Sequence, residues 1–147
     1  MKKALALLVF LMCTAGSAGA EPLLVGKWAY FMKVYQGQDM PEPPDAILRL
    51  RFEFQADGTS RLYWWHEGEN YHCERRGLYY VEGSELVDEV VWVNPANSYG
   101  CDRDPDMQQG RLTRTAFSIR DGNLRLQIPF AEEELTYVWK RVEEEGK

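Results

Sequence analysis

The sequence predicts an all-β fold: one domain of about eight antiparallel strands closed into an up-and-down barrel. Three observations carry this. Leu48, Leu50, Phe52 and Phe54 alternate with Arg49, Arg51 and Glu53, a period of two that suits a half-buried strand and that no helix satisfies. Short alternating segments recur along the chain, separated by Asp57-Gly58, Glu82-Gly83 and Asp121-Gly122, pairs that accept the positive φ of tight hairpins. Gly26-Lys27-Trp28 opens this pattern and Lys140-Arg141 closes it, a bracket that makes sense if the first and last strands pair.

The elements follow in order. Met1-Lys2-Lys3, the apolar run from Ala4 to Met12 and the small-x-small Ala18-Gly19-Ala20 read as a secretory leader cleaved after Ala20, which leaves residues 21–147 as the domain. Met12 stands before Cys13 where a lipidation signal wants Gly, Ala or Ser, so Cys13 is read as part of the leader. The leader's apolar run is too short for a membrane span, and no later segment comes close. A first strand is expected from Val25 to Tyr35. Pro41, Pro43 and Pro44 then confine residues 36–46 to an extended loop, since proline cannot donate to a ladder.

After the strand ending at Phe54, a three-residue Ala56-Asp57-Gly58 loop would set Phe52 against Leu62 and Glu53 against Arg61. That register puts Leu62, Trp64 and His66 on the face of Phe52. Further strands are expected over Tyr71–Val81, Glu85–Val93, Leu112–Arg120, Asn123–Phe130 and Leu135–Val142, with a long loop from Asn94 to Gly110 and a solvated acidic tail at Glu143-Glu144-Glu145.

The bracket, together with Phe54-Gln55-Ala56-Asp57-Gly58-Thr59 and Gly77-Leu78-Tyr79 followed by Gly83, resembles the lipocalins, and in particular the compact bacterial lipocalin-like proteins that lack a long C-terminal helix. The resemblance implies a calycin-type barrel in which Arg141 lies across the Trp28 indole and seals one end. It also implies that the proline-rich loop lies at the open mouth as a lid.

Charge and cysteine count narrow the partners. Loss of the leader removes Lys2 and Lys3 and no acid, leaving 15 basic against 23 acidic side chains, so the net charge moves from −6 to −8. With no Lys/Arg-rich run, nucleic acid is excluded as a partner. Cys73 and Cys101 remain, an even count in an oxidising compartment, and are expected to pair. The expected location is periplasmic or secreted.

Parity along the strands puts Trp28, Tyr30, Phe52, Phe54, Trp64, Tyr79, Trp92, Tyr137 and Trp139 on a common inner face. Two readings stand: a filled core, as a small barrel needs, or the wall of a ligand cavity. Arg75 and Arg114 either point inward to meet a polar end of a ligand or are solvated outer-face residues. His66 and His72 flank the Glu67-Gly68-Glu69-Asn70 turn, but the spacing matches no established metal site. Asp102, Asp104 and Asp106 alternate as the start of a calcium loop does, yet Met107 and Thr113 stand where the glycine and the terminal acid belong. No metal or cofactor is therefore expected. Ser60, Ser84, Ser98 and Ser118 lack a nucleophile context, so no catalytic residue is assigned.

The leading expectation is an exported carrier or sensor of a small apolar or aromatic molecule. Its binding residues would be Tyr30, Phe52, Phe54, Trp64, His66, Arg75, Tyr79, Trp92, Arg114, Tyr137 and Trp139. The alternative is an inhibitor of a lysozyme or protease that acts through exposed loops, with the acidic 94–110 loop facing a cationic protein.

Overall fold

A computed structural model describes residues 21–130 and 133–143; the expected leader over residues 1–20 and the end of the acidic tail lie outside them. Nine strands form one sheet: β1 Gly26–Tyr35, β2 Gln38–Pro41, β3 Leu48–Phe54, β4 Thr59–His66, β5 His72–Glu82, β6 Glu85–Val93, β7 Leu112–Arg120, β8 Asn123–Phe130 and β9 Glu133–Arg141. Their order is β2-β1-β3-β4-β5-β6-β7-β8-β9, and β1 also pairs with β9, so eight strands close a barrel and β2 is an extra edge strand. All neighbours are antiparallel. Among the described residues there is no α-helix, only two short 3-10 turns at Cys101–Arg103 and Pro105–Met107.

The expected hairpin register holds, with Phe52 opposite Leu62 and Glu53 opposite Arg61. The expected loop over residues 36–46 is corrected: Gln36 and Gly37, at φ 49° and 74°, make a two-residue turn that folds Gln38–Pro41 back onto β1. Pro41 is tolerated because it ends an edge strand, opposite Met32.

Sequence order gives the barrel two unlike ends. The tight turns after β3, β5 and β7 gather at one end with the start of β1 and the close of β9. Here the core is filled: Leu24, Trp28, Phe54 and Leu124 are fully buried, with Tyr79 and Leu86 beside them. Arg141 stands opposite Trp28, with its guanidinium carbon 4.3 Å from the indole centroid. Its two terminal nitrogens donate to the carbonyls of Val25 and Leu23, each at 2.6 Å, while Trp28 Nε1 donates to Leu24 at 2.8 Å. Gly26 makes room for this crossing, since a Cβ there would stand 2.4 Å from Arg141 Nη1.

The longer connections, 36–47, 67–71 and 94–111, gather at the other end. Cys73 and Cys101 are disulfide-bonded, with Cα atoms 5.7 Å apart, and so tie the 94–111 connection to β5. Cys101 and Met107 pack with Cys73 against Trp64 and Tyr71, which turns this connection inward over the mouth.

Candidate ligand-binding cavity

Above the filled end the barrel is open, with a cavity of about 650 Å³. Its wall divides by chemistry. Strands β3, β4, β8 and β9 supply an apolar side that includes Leu50, Phe52, Trp64, Leu126, Tyr137 and Trp139; the opposite side carries Arg75, Asp88, Asp104, Asp106, Arg111, Thr113 and Thr115. Sequence alternation produces this, because residues two apart on each strand face inward together.

A buried ion pair stands on the polar side. Arg75, 4% exposed, places Nη2 2.6 Å from Asp88 Oδ2, rests 5.2 Å from the Phe52 ring centroid and donates to Ser60 Oγ at 3.3 Å. Ser60 Oγ in turn donates to the other Asp88 oxygen. Each charge is thus matched by a partner, as burial demands. Gly77 is what lets them meet: a Cβ there would lie 2.6 Å from Ser60 Oγ, 2.7 Å from Glu89 O and 2.9 Å from Arg75 Nη1. Two buried donors, Arg75 Nε and Trp139 Nε1, have no acceptor among the described residues.

The 94–111 connection supplies the rim. Asp104 accepts the backbone N–H of Asp106 at 2.8 Å, and Asp106 lies 3.6 Å from Arg111. Burial first, and then the Asp104 carboxylate, pushes Asp106 above the usual aspartate range, although about half its side chain (52%) still meets solvent. Burial, followed by the Asp106, Asp104 and Glu42 carboxylates, likewise pushes the Tyr137 phenol up.

Of the expected residues, the structure brings Phe52, Trp64, Arg75, Arg114, Tyr137 and Trp139 to the cavity wall. Tyr30 packs against Tyr137 and Trp139. Phe54 and Tyr79 belong to the filled end, where Tyr79 donates to Gln55 O at 2.7 Å. Three expectations are corrected. Trp92 is on the outer face, 37% exposed, under the Arg76 guanidinium; the β5–β6 register shifts between Arg76 and Gly77, and the extra residue reverses its side. Arg114 borders the cavity on β7, but its guanidinium is paired with Glu82 and Glu85 and so is not free to orient a ligand's polar end. His66 stands at the hairpin beyond the cavity, stacked on Tyr71 at 4.4 Å and 2.8 Å from Glu69. It does not meet His72, whose Nε2 lies 3.4 Å from Glu74.

Sequence reasoning missed Asp88, Asp104, Asp106 and Arg111 on the cavity wall. Asp88 was within reach of the parity argument, two residues from Leu86 on the same strand.

No family model matches the chain, and no curated protein matches it. Among solved structures it is similar to a lipocalin-like protein from Bacteroides uniformis, at 17% identity and a TM-score of 0.55, over 82% of this chain and 99% of that one. The fold is lipocalin-like. In the lipocalin-like barrel described here, the cavity occupies the end away from the Trp28 and Arg141 seal.

Proposed function

We propose that the protein is an exported carrier or sensor that holds a small apolar or aromatic molecule in the open half of the barrel, without catalytic chemistry. The observation that supports this is the cavity. At about 650 Å³ it falls within the range of drug-sized ligand sites, and it has the usual makeup of such sites, an apolar wall with a few polar groups. The leader-like residues 1–20 and the Cys73–Cys101 bond support export. Native mass spectrometry of the chain expressed with its leader in a bacterial host tests all three elements together. The expected spectrum shows the chain cut after Ala20, two hydrogens lighter than the dithiol, with a small-molecule adduct that is lost on unfolding. A bare, uncut dithiol chain that takes up no neutral apolar fluorophore would overturn the proposal.

One observation favours the second reading, a protein-binding inhibitor. Tyr99 is 86% exposed on the disulfide-tied connection, and Arg103 steadies it by donating to its hydroxyl at 2.7 Å. An exposed, braced aromatic beside Asp102 suits a protein contact. Tyr99→Ala separates the readings: it abolishes inhibition of a cationic enzyme under the second and leaves small-molecule uptake unchanged under the first.

A further inference from the structure

The floor of the cavity is built from side chains that also belong to the buried core: Phe52, Leu62, Leu86, Leu126 and Trp139. Two hydrogen-bond donors in this apolar setting go unanswered. Trp139 is 3% exposed and its Nε1–H has no acceptor among the described residues; Arg75 is 4% exposed and its Nε–H has none either. Both side chains line the cavity and flank one ring, with the Arg75 guanidinium carbon 5.2 Å and the Trp139 ring centroid 6.1 Å from the Phe52 centroid. Trp28 makes the contrast: its indole N–H, equally buried, donates to Leu24 O at 2.8 Å. A buried donor without a partner costs free energy, and the cavity is the space from which a partner for Trp139 and Arg75 can come.

The charges on the wall decide which kind of acceptor fits. Arg75, Arg111 and Arg114 border the cavity with Asp88, Asp104 and Asp106, and each arginine already faces a carboxylate: Arg75 faces Asp88, Arg111 faces Asp106, and Arg114 faces Glu82 and Glu85. A bound carboxylate would give up its water and find no free cation in return. An ammonium group has no lone pair to offer the two donors, and a hydrocarbon has none either. A carbonyl oxygen accepts, carries no net charge and costs far less to desolvate than an ion.

We propose that the floor of the cavity is a site for a neutral carbonyl oxygen, so that the molecule held in the barrel is an uncharged ketone, ester or amide with an apolar or aromatic body, its oxygen accepting from Trp139 Nε1–H. The inference rests on the carrier reading and specifies its ligand class. Arg75 turns both Nη groups to Ser60 and Asp88, which leaves the indole as the main donor and Arg75 Nε–H as a second. The body of the ligand then lies along Leu50, Trp64 and Tyr137, the apolar side above the floor.

Displacement of a neutral reporter, N-phenyl-1-naphthylamine, tests it on the oxidised protein at neutral pH. The competitors share one body and differ in the group at one end: 4-phenyl-2-butanone, its hydrocarbon isostere isopentylbenzene, 4-phenylbutan-2-amine and 3-phenylpropanoate. The ketone is expected to displace the reporter at about tenfold lower concentration than either charged competitor. In Trp139→Phe the ketone should lose about fivefold relative to the hydrocarbon, which meets the ring but cannot use the N–H, so that packing changes cancel in the ratio. A spectroscopic reading needs no variant: of the five tryptophan indole N–H signals, the one in through-space contact with Tyr30 should move downfield on saturation with the ketone and stay in place with the hydrocarbon. A charged competitor that matches the ketone, a ketone-to-hydrocarbon ratio unchanged by Trp139→Phe, or an indole signal that moves equally with both overturns the carbonyl site while leaving the carrier reading intact. Failure of the reporter itself to bind the parent protein overturns both.

Discussion

Trp28→Ala removes the largest side chain of the sealed end, and the structure fixes the size of the effect. Trp28 is fully buried in a cluster with Leu24, Phe52, Phe54 and Leu124, so its loss leaves a void that rigid strands on both sides cannot collapse into. Truncations of this kind cost about 3–5 kcal/mol. At about 3–5 °C per kcal/mol for a domain of this size, the midpoint of thermal unfolding should fall by about 9–25 °C. Arg141→Ala should cost less, since the guanidinium is solvent-exposed and contributes a cation–π contact of about 1 kcal/mol plus two bonds to carbonyls. Circular dichroism melts of both variants and the double variant give the cycle, and the pair should couple by about 1 kcal/mol. A melting temperature unchanged by Trp28→Ala, or strictly additive losses, would refute the view that the two residues form one seal.

Three further outcomes follow from named contacts. Replacing Cys73 and Cys101 by Ala releases a loop closed by a separation of 28 residues, which chain entropy values at about 3.5 kcal/mol; hydrogen exchange should report the loss of protection first in residues 94–111, and uniform loosening of the whole barrel would contradict the tether. Gly77→Ala forces a Cβ against Ser60 Oγ, Glu89 O and Arg75 Nη1, so it should destabilise by more than the usual Gly-to-Ala effect, as read by urea unfolding, whereas Arg76→Ala at the exposed neighbouring position should cost about 1 kcal/mol or less, the worth of its contact with Trp92. Burial pushes Glu74 up, but the Arg61 guanidinium at 2.7 Å, with His72 and Asn94, more than offsets this and holds its carboxyl below the ordinary 4.5. Its contribution is therefore full above the ordinary glutamate range and is lost as pH falls through the depressed value; Glu74→Gln should cost about 1–3 kcal/mol at pH 7 and converge with the parent in acid, and a constant difference between the two across pH would contradict that.

The fold was legible wherever local chemistry fixes geometry. Asp57-Gly58 defines a turn, the turn defines the register, and the register pairs Phe52 with Leu62 and Glu53 with Arg61. The same holds for Trp28 and Arg141, whose chemistry is complementary at opposite ends of the chain. Parity failed where one residue is inserted: the register shift beside Gly77 sends Trp92 outward, and nothing in the alternation of Leu86, Asp88 and Val90 announces it. The 36–41 hairpin was hidden because Gln36-Gly37 is a weaker turn signal than Asn-Gly and the nearby prolines argue for loop. The acidic half of the cavity was illegible for a different reason. Asp104 and Asp106 reach the mouth only because the disulfide and Met107 fold the 94–111 connection inward, a tertiary outcome that no local pattern encodes. That arginines would be neutralised was foreseeable from the cost of burying a lone charge, but the identity of the partner, Asp88, depends on a cross-strand neighbour made accessible by Gly77.

The central claim, that the open half of the barrel takes up a small apolar molecule, is tested most directly by a tryptophan-fluorescence titration with a neutral apolar fluorophore, run on the oxidised protein and on a Leu126→Trp variant that fills the cavity. Trp64 and Trp139 line the wall and should report entry by energy transfer. The expected result is saturable one-to-one binding with Kd near or below about 1 μM in the parent, weakened at least about tenfold in the filled variant while both proteins melt cooperatively. Non-saturable uptake, or binding that the filled variant retains in full, would place the fluorophore elsewhere and contradict the claim.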